Sequence, residues 1–429
     1  MGLFSRVGRL NAPGRNASGN PPTLCAVRIQ EGYHGFVASV VAICAQPTWR
    51  FQDPLPCMDS PVPRRKTFPV SSAEVIGGLP LISVIGTPRT MGEHLGGRLK
   101  PRLQVLAQYL YEQLAGAAQV EGQTMAPDDL RRRLRESVLP AAQHEPALWM
   151  EIESMARASG LPEEDLLLIH GYGDLLSSYN FPLPPARSTY IGLGSPHTDN
   201  GLPRLVLVAH LDPALLPYMT LLKRIPAHGP VSLSLTLAGL APMAGMSEAG
   251  LAVATNELRV RDGVPGQFNA HLLASTLTAP SLDDAVQRVQ QGPRQGGMAV
   301  HLMTNGGDRV SLELSGKQVM RLDDPFPASP RVHTNHVLNP RFSAVSTNLD
   351  QTSRPRLAKA AAYAVAASGA SPSTIAGWFG LERTTQGSGR QPADGMGTEA
   401  TVIFIADPAT KTLHVRRSGT PAKLESVRL

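Results

Sequence analysis

Two hydroxyl residues, Ser188 and Thr189, directly follow a proline-rich segment, residues 180–187. Three prolines in these eight residues predict an irregular connector, because proline lacks the backbone donor that regular structure needs. A cut between Arg187 and Ser188 would leave an α-amine, with a pKa of about 7.7–8.0, on a residue that also carries a hydroxyl. Such an amine can act as the general base for its own hydroxyl, so the pattern fits an N-terminal nucleophile.

A second serine, Ser247, lies in Gly-Met-Ser-Glu-Ala, which partly matches the turn that presents a nucleophilic serine in α/β hydrolases. That turn requires a strand before the serine and a helix after it, whereas residues 251–255 have a strand-like pattern. Ser247 is therefore interpreted as a turn residue. A serine hydrolase that uses Ser247 remains a minor alternative.

Metal chemistry has little support in the sequence. The pairs His210/Asp212 and His333/His336 could chelate an ion, but neither pair has a third ligand at a spacing typical of a metal site. The three cysteines all lie in the first sixty residues, so the rest of the chain has no cysteine site. No metal and no cofactor are expected.

Three segments of different character follow one another along the 429 residues. Residues 1–83 are a basic, Pro/Gly-rich leader, and residues 84–187 are a helical pro-segment. Residues 188–429 carry short strand-like runs interrupted by three helical stretches, which indicates sheets with helices rather than alternating βαβ units. The strand-like runs are 205–211, 231–240, 251–257, 298–303, 310–314 and 401–406, and the helical stretches are 269–277, 282–290 and 357–367.

The helical pattern of the second segment is clearest where leucines recur at spacings of three and four, which places them on one helix face. These are Leu103, Leu106, Leu110 and Leu114. An acid-first helix start at Asp128 and Asp129 supports a further helix.

The formal net charge of +6 belongs to the first hundred residues, mostly to the leader, rather than to a patterned folded face. Residues 1–100 hold eleven basic and five acidic side chains, which accounts for the whole excess. A nucleic-acid partner is therefore not expected. No apolar run reaches the roughly 18 residues of a membrane-spanning helix, and no targeting pattern in the leader is complete. A cytoplasmic protein without a membrane partner is expected.

Five motifs in chain order resemble those of one enzyme family. They are residues 86–96 (Gly-Thr-Pro-Arg-Thr-Met-Gly-Glu-His-Leu-Gly), 245–256 (Gly-Met-Ser-Glu-Ala-Gly-Leu-Ala-Val-Ala-Thr-Asn), 333–336 (His-Thr-Asn-His), 353–357 (Ser-Arg-Pro-Arg-Leu) and 400–415. With them, residues 84–429 resemble the acyl-coenzyme A:6-aminopenicillanate acyltransferase family of N-terminal-nucleophile hydrolases, which is related to choloylglycine hydrolases.

The resemblance implies an α+β fold of four layers, αββα, with two stacked antiparallel sheets between helices. It implies that the precursor cuts itself at Arg187–Ser188 into a helical chain and a catalytic chain, 188–429, that stay associated as a heterodimer. On the matching positions, Ser188 is the nucleophile, Asp212 positions its amine, Asn256 is the side-chain donor of the oxyanion hole, and Arg356 orients amine and acid.

Two positions depart from the family pattern. Ser188 stands where the family usually has cysteine, and serine is the weaker nucleophile at neutral pH. His210 stands where asparagine is frequent.

The expected function is an autoproteolytic acyltransferase or amidohydrolase. It would move an acyl group from an amide or thioester through an acyl-enzyme to an amine acceptor or to water, on a peptide-like secondary metabolite. The alternative is an uncleaved, non-catalytic relative that binds a small acyl or peptide ligand.

Overall fold

The computed structural model divides the chain into two units, residues 1–69 and 70–429. It describes residues 28–29, 40–41, 74–120, 122, 124–178, 187–324, 328–347, 350–380, 400–419 and 423–429. In the first unit, strand β1 (Arg28–Ile29) pairs antiparallel with β2 (Val40–Val41). Most of the predicted leader, nearly all of the proline-rich connector and the glycine-rich segment 386–395 lie outside the described residues.

A nine-stranded sheet is the larger of the two sheets in the second unit. Its neighbouring strands run antiparallel, except that β4 runs parallel to β7. The spatial order is β13-β12-β11-β10-β9-β8-β7-β4-β3. In chain order, the strands are β3 (Glu74–Ile76), β4 (Leu79–Gly86), β7 (Met219–Pro226), β8 (Ser232–Leu237), β9 (Ala241–Ser247), β10 (Leu251–Leu258), β11 (Gly297–Thr304), β12 (Arg309–Leu314) and β13 (Val319–Arg321).

The second sheet has six antiparallel strands in the order β14-β5-β6-β15-β16-β17. They are β5 (Arg187–Leu193), β6 (Arg204–Leu211), β14 (Arg331–His333), β15 (Ala400–Asp407), β16 (Thr412–Arg417) and β17 (Glu425–Arg428). Each of the six strand-like runs in the sequence becomes a strand, although residues 231–240 contain only the shorter β8.

Alternation of side chains along the strands gives each sheet two apolar faces. Leu207 and Phe404 of the small sheet share one buried cluster with Leu221 and Leu235 of the large sheet, so the two sheets pack face to face. This is the central double layer of the fold.

Helices cover both outer faces. Val253 and Val300 of the large sheet pack under α5 (Asn269–Leu277) and α6 (Leu282–Gln290). The outward residues of the small sheet, such as Val208, pack under α7 (Ser353–Ala366) and α8 (Pro372–Gly377). The predicted α+β fold with four αββα layers is confirmed.

Four helices fill residues 88–178: α1 (Pro88–Val120), α2 (Pro127–His144), α3 (Pro146–Ser159) and α4 (Glu163–Ser178). The four periodic leucines of α1 are fully buried. Gly92 and Gly96 explain the glycine spacing of the first motif, because a Cβ there would lie 2.1 Å from the Glu151 carbonyl oxygen and 2.3 Å from that of Met155. The two glycines thus allow α1 to pack directly on α3. None of the described helices is long and apolar enough to cross a membrane.

The predicted boundary at residue 83 differs from the structure. Strand β3 lies within the predicted leader, and β4 crosses its end at residue 83. Both strands belong to the large sheet. The second unit accordingly begins near residue 70. The pairing partner of β4 is β7, more than a hundred residues away in sequence, so no local pattern indicates it.

Candidate active site

Ser188 is the second residue of β5 and lies opposite Ala209 of β6. It is only 8% exposed. Its backbone N–H donates to Asn335 Oδ1 at 2.7 Å, and its Oγ accepts from Asn256 Nδ2 at 2.7 Å. Two side chains from distant parts of the chain therefore hold the backbone nitrogen and the hydroxyl of Ser188.

Asn256 lies on β10 and is fully buried. Its Oδ1 lies 2.9 Å from His301 Nε2 and 3.2 Å from His333 Nδ1. An amide oxygen only accepts hydrogen bonds, so these two contacts require N–H groups on both rings and direct Nδ2 toward Ser188. His301 can meet this requirement as a neutral ring, because its Nδ1 lies 2.9 Å from the Ser311 hydroxyl and can accept from it.

His333 faces a buried carboxylate on its other side, with Nε2 2.9 Å from Glu313 Oε1. Burial opposes ionisation of Glu313, but hydrogen bonds from His333 and from the backbone N–H groups of Leu338 and Asn339 hold its pKa below the usual value. The Glu313 carboxylate thus holds the His333 ring in place from the side opposite Asn256.

Arg356, in the first turn of α7, reaches the backbone of Ser188. Its Nη1 donates to the Ser188 carbonyl oxygen at 2.7 Å and to Thr189 Oγ1 at 3.1 Å, and its Nη2 donates to Asn335 Oδ1 at 3.0 Å. Burial lowers the pKa of Arg356, and the ion pair with Asp350 opposes that shift. The pKa of Asp350 is lowered despite burial by the hydroxyl of Thr352 and by Arg356. The two side chains thus form a buried ion pair beside Ser188.

Asp212, which the family resemblance places next to Ser188, has other described hydrogen-bond partners. Its Oδ2 accepts from the Tyr109 hydroxyl at 2.7 Å and its Oδ1 from the Ala214 N–H at 2.8 Å. Burial and this bond to Asp212 raise the pKa of Tyr109 to about 12. The structure describes no contact between Asp212 and Ser188, so the assignment of Asp212 as the acid that positions the amine stays a prediction. The partners that do hold Ser188 are Asn335 and Arg356.

His210 lies opposite Arg187, directly before the expected cleavage point. Burial lowers its pKa to about 3, and the nearby positive charges of Arg356 and Arg187 act in the same direction. His210 is therefore a neutral ring at physiological pH. It is also a poor base, which leaves the base role to another group.

Two adjoining cavities are both lined by Arg187, the residue before Ser188. The smaller, of about 130 Å³, is lined by Ser188 and Arg187 together with His170 and Asp174 of α4. The larger, of about 370 Å³, shares His170 and Arg187 with it and extends to Asp212. A substrate that reaches Ser188 would therefore contact both the helical segment and the catalytic sheets.

The remaining serine candidate, Ser247, ends β9, and β10 follows it antiparallel after a short turn. A nucleophile elbow requires a helix at that point. The structure thus contradicts the Ser247 alternative and agrees with its interpretation as a residue next to a turn.

Several residues of the site have no pattern in the sequence that identifies them. Asn335 lies inside the 333–336 motif, which is the one signal that could have indicated it. Asp350, His301 and Glu313 are single polar residues in unremarkable contexts. Of the predicted residues, the structure joins Ser188, Asn256 and Arg356 by hydrogen bonds, whereas the described bonds of Asp212 are to Tyr109 and Ala214.

This arrangement is suited to one kind of chemistry. Asn256 directs an N–H at the Ser188 oxygen, and a donor in that position stabilises negative charge that develops on an oxygen beside it. Asn335 and Arg356 fix the backbone of the same residue. The site can therefore orient a serine oxygen for attack on a carbonyl carbon and bind the resulting oxyanion.

A comparison with known proteins shows which family part of this chain resembles. Residues 219–412 match the family model described as acyl-coenzyme A:6-aminopenicillanic acid acyl-transferase. The family resemblance predicted from the sequence is confirmed over these residues, which include Asn256, Asn335 and Arg356 and exclude Ser188 and Asp212. Over these residues the chain is similar to an acyltransferase family. No curated protein matches the chain.

Solved structures give remote similarities. An N-acylethanolamine-hydrolyzing acid amidase ortholog from Caenorhabditis elegans aligns with 56% of this chain and 99% of its own, at 11% identity and a TM-score of 0.36. A variant of the conjugated bile acid hydrolase from Clostridium perfringens aligns with 56% of this chain and 92% of its own, at 11% identity and a TM-score of 0.39. Penicillin V acylase from Agrobacterium tumefaciens aligns with 55% of this chain and 84% of its own, at 14% identity and a TM-score of 0.30.

Proposed function

We propose that this protein is an autoproteolytic N-terminal-nucleophile enzyme that uses Ser188 to transfer an acyl group from an amide or thioester to an amine or to water. The observation that carries the proposal is the pair of hydrogen bonds on Ser188, from Asn256 to its Oγ and from its N–H to Asn335. They hold the two atoms that an N-terminal nucleophile uses, the hydroxyl oxygen and the nitrogen.

Cleavage would begin with attack of Ser188 Oγ on the Arg187 carbonyl carbon. The hydroxyl proton is transferred to the Ser188 nitrogen as the peptide C–N bond breaks, which leaves an ester between Arg187 and Ser188. Water then hydrolyses this ester and releases the Arg187 carboxylate. The product is a chain that begins at Ser188 and carries a free α-amine.

In the mature enzyme, the α-amine would accept the proton of Ser188 Oγ–H as the oxygen attacks the acyl carbon of the substrate. Asn256 Nδ2 would donate to the oxyanion of the tetrahedral intermediate. The leaving amine or thiol departs with the proton, and an acyl ester remains on Ser188. An amine or a water molecule attacks this ester, releases the product and returns the proton to Oγ.

The geometry around the nitrogen supports its use as a base. Asn335 Oδ1 already accepts from the Ser188 N–H at 2.7 Å and would orient the amine after cleavage. Arg356 places a positive charge at the carbonyl of the same residue, and a neighbouring positive charge favours the uncharged amine at neutral pH.

The two products of cleavage are proposed to remain together as a heterodimer. The first product would contain β4, which pairs with β7 of the second from Leu81 to Gly86, and the leucine face of α1, which is buried in the central core. Separation would expose both to water. A peptide-like secondary metabolite as substrate, which follows from the sequence resemblance, and a cytoplasmic location, which follows from the leader's incomplete targeting patterns, are further parts of the proposal.

Intact mass spectrometry of the purified protein, with N-terminal sequencing, tests the proposal. Scaling the 45.7 kDa mass by residue number gives fragments of about 20 and about 26 kDa, and the larger should begin at Ser188. Both should elute together in gel filtration. A protein that remains one chain of full mass and transfers no acyl group would instead support the non-catalytic relative that binds a small acyl or peptide ligand.

A further inference from the structure

The peptide bond that the proposed function cuts joins the first two residues of β5, Arg187 and Ser188. Ser188 is held on its own side of this bond, because Asn335 accepts from its N–H and Arg356 donates to its carbonyl oxygen. Arg187 supplies the carbonyl carbon that the Ser188 oxygen would attack. Self-cleavage therefore depends as much on what holds Arg187 as on what holds Ser188.

The Arg187 side chain forms an ion pair with Asp350, whose Oδ1 lies 3.6 Å from Arg187 Nε. The side chain of Asp350 is 1% exposed, and that of Arg187 is 29% exposed. Asp350 Oδ1 also accepts from the N–H of Thr352 at 2.9 Å and from its hydroxyl at 2.6 Å. The carboxylate that faces Arg187 is therefore held in place by bonds that do not involve Arg187.

The other oxygen of the same carboxylate, Asp350 Oδ2, pairs with Arg356 Nη2. Asp350 thus faces two arginines that belong to the two sides of the bond to be cut. Arg187 precedes the bond, and Arg356 binds the carbonyl oxygen of the residue that follows it. One buried carboxylate connects the contacts on both halves of the scissile peptide.

This ion pair differs from one on an open surface. A surface pair contributes little, because two flexible side chains must be ordered to form it and water screens both charges. Here Asp350 is already buried and held by Thr352 and Arg356, so only the Arg187 side chain has to be ordered. Loss of the Arg187 charge would release the residue that carries the scissile carbonyl and leave the remaining bonds of Asp350 in place.

We propose that Arg187 is a positioning residue for self-cleavage, and that its ion pair with Asp350 keeps the Arg187 carbonyl carbon within reach of the Ser188 oxygen. Holding two reacting groups in the right geometry lowers the barrier, and a small misplacement slows the reaction strongly. The role ends when the bond is cut, because Arg187 then belongs to the first chain. This inference rests on the proposed function, since it concerns the first step of that mechanism.

Cleavage rates of the full-length chain test the proposal, measured by intact mass at intervals after cell-free synthesis. Arg187→Gln removes the charge and should cleave at least about tenfold more slowly than the unsubstituted protein. Arg187→Lys keeps the charge and should cleave within about threefold of the unsubstituted rate, because a single contact at 3.6 Å does not need the two-pronged guanidinium.

Arg135→Gln is the matched control for the same chemical change, since Arg135 pairs with Glu164 on the helical segment, and it should leave the cleavage rate unchanged. Equal rates in Arg187→Gln and the unsubstituted protein would overturn the proposal. So would an Arg187→Lys variant that cleaves as slowly as Arg187→Gln, because the role is assigned to the charge.

A double-mutant cycle shows whether Arg187 acts through Asp350. In an Asp350→Asn background, Arg187→Gln should slow cleavage by no more than about twofold, because the pair is already lost. Additive effects in a folded double variant would refute the ion pair. If Asp350→Asn does not fold, Arg187→Glu decides instead, since a negative charge beside Asp350 should slow cleavage beyond the effect of Arg187→Gln. Equal rates in these two variants would refute the ion pair as well.

Failure of the proposed function gives a different result. The unsubstituted protein would then remain uncut, whatever residue stands at position 187. Cleavage of the unsubstituted protein and of Arg187→Gln at the same rate would refute only the role of Arg187.

Discussion

Two buried polar clusters differ in how completely their side chains are hydrogen-bonded. The nucleophile cluster consists of Ser188, Asn256, His301, Glu313, His333, Asn335, Asp350 and Arg356. The helix cluster consists of His170, Asp174 and His271. Among the described residues, every buried side-chain polar atom of the nucleophile cluster has a partner, whereas the helix cluster has five atoms without one.

The difference separates two kinds of function. A fully bonded cluster fixes the direction of each donor, as the bonds on Asn256 Oδ1 do for the Nδ2 that faces Ser188. Such preorganisation is what stabilises a transition state. The side chains of the helix cluster lack such bonds, so their orientation is fixed less firmly. Under the proposed function, the first cluster orients the reacting atoms.

Removal of the nucleophile should give the largest effect. Ser188→Ala should abolish both self-cleavage and acyl transfer, because both use the same oxygen. Ser188→Cys retains nearly the same size and introduces a thiol with a free pKa of about 8.5, so it should cleave and transfer acyl groups measurably. Intact mass and a fluorogenic amide assay measure the two activities. Full activity in Ser188→Ala would remove Ser188 from the mechanism and leave the nucleophile cluster without its reactive atom.

Loss of the oxyanion donor should come next. Asn256→Ala should lower the turnover number by about 10²–10³ while KM changes little, because the donor acts mainly on charge that develops in the transition state. Thr255→Ser, on the neighbouring position of β10, is the control for general disturbance of the strand. An unchanged turnover number in a folded Asn256→Ala protein would show that Asn256 is structural only.

A matched pair of acid substitutions tests which carboxylate belongs to the nucleophile cluster. Asp350→Asn should destabilise the fold by about 3 kcal/mol, because it leaves Arg356 buried without its counter-ion, and should slow cleavage. Asp212→Asn should change stability by no more than about 0.5 kcal/mol, because Asp212 is exposed. Denaturant unfolding and cleavage rates measure both. A loss of cleavage in Asp212→Asn without loss of stability would restore Asp212 as the positioning acid.

The helix cluster should contribute a smaller, pH-dependent effect. Burial lowers the pKa of His271 to about 4 in the folded protein, against 6.5 for an ordinary histidine. Between these values the unfolded chain binds more protons, so stability is lost as the pH falls from about 6.5 to about 4. His271→Gln should reduce that slope by up to about 1.4 kcal/mol per pH unit. Urea unfolding at pH 4.5, 5.5 and 7 measures it, and an unchanged slope would mean that His271 is protonated in the fold.

Much of the fold follows from local patterns in the sequence. The α1 leucines recur at helical spacing and are all buried, and residues 269–277 and 282–290 form helices with the predicted bounds. Apolar periodicity is a property of neighbouring residues, which is why it can be recognised without a structure. The family motifs likewise indicate Asn256 and Arg356, since each lies within a short distinctive run.

Only the tertiary structure decided which of these residues meet. Asn335 contacts Ser188 across 147 residues of sequence, and β4 joins β7 to complete the large sheet across the whole helical segment. Asp212 lies only one residue beyond β6, the strand that pairs with Ser188, yet its described hydrogen bonds are to Tyr109 and to the Ala214 N–H. Strand pairing fixes a backbone register, but a side chain beyond the end of a strand takes its direction from the packing around it, here from Tyr109 on α1. Such partners come from global packing, and the local sequence does not contain them.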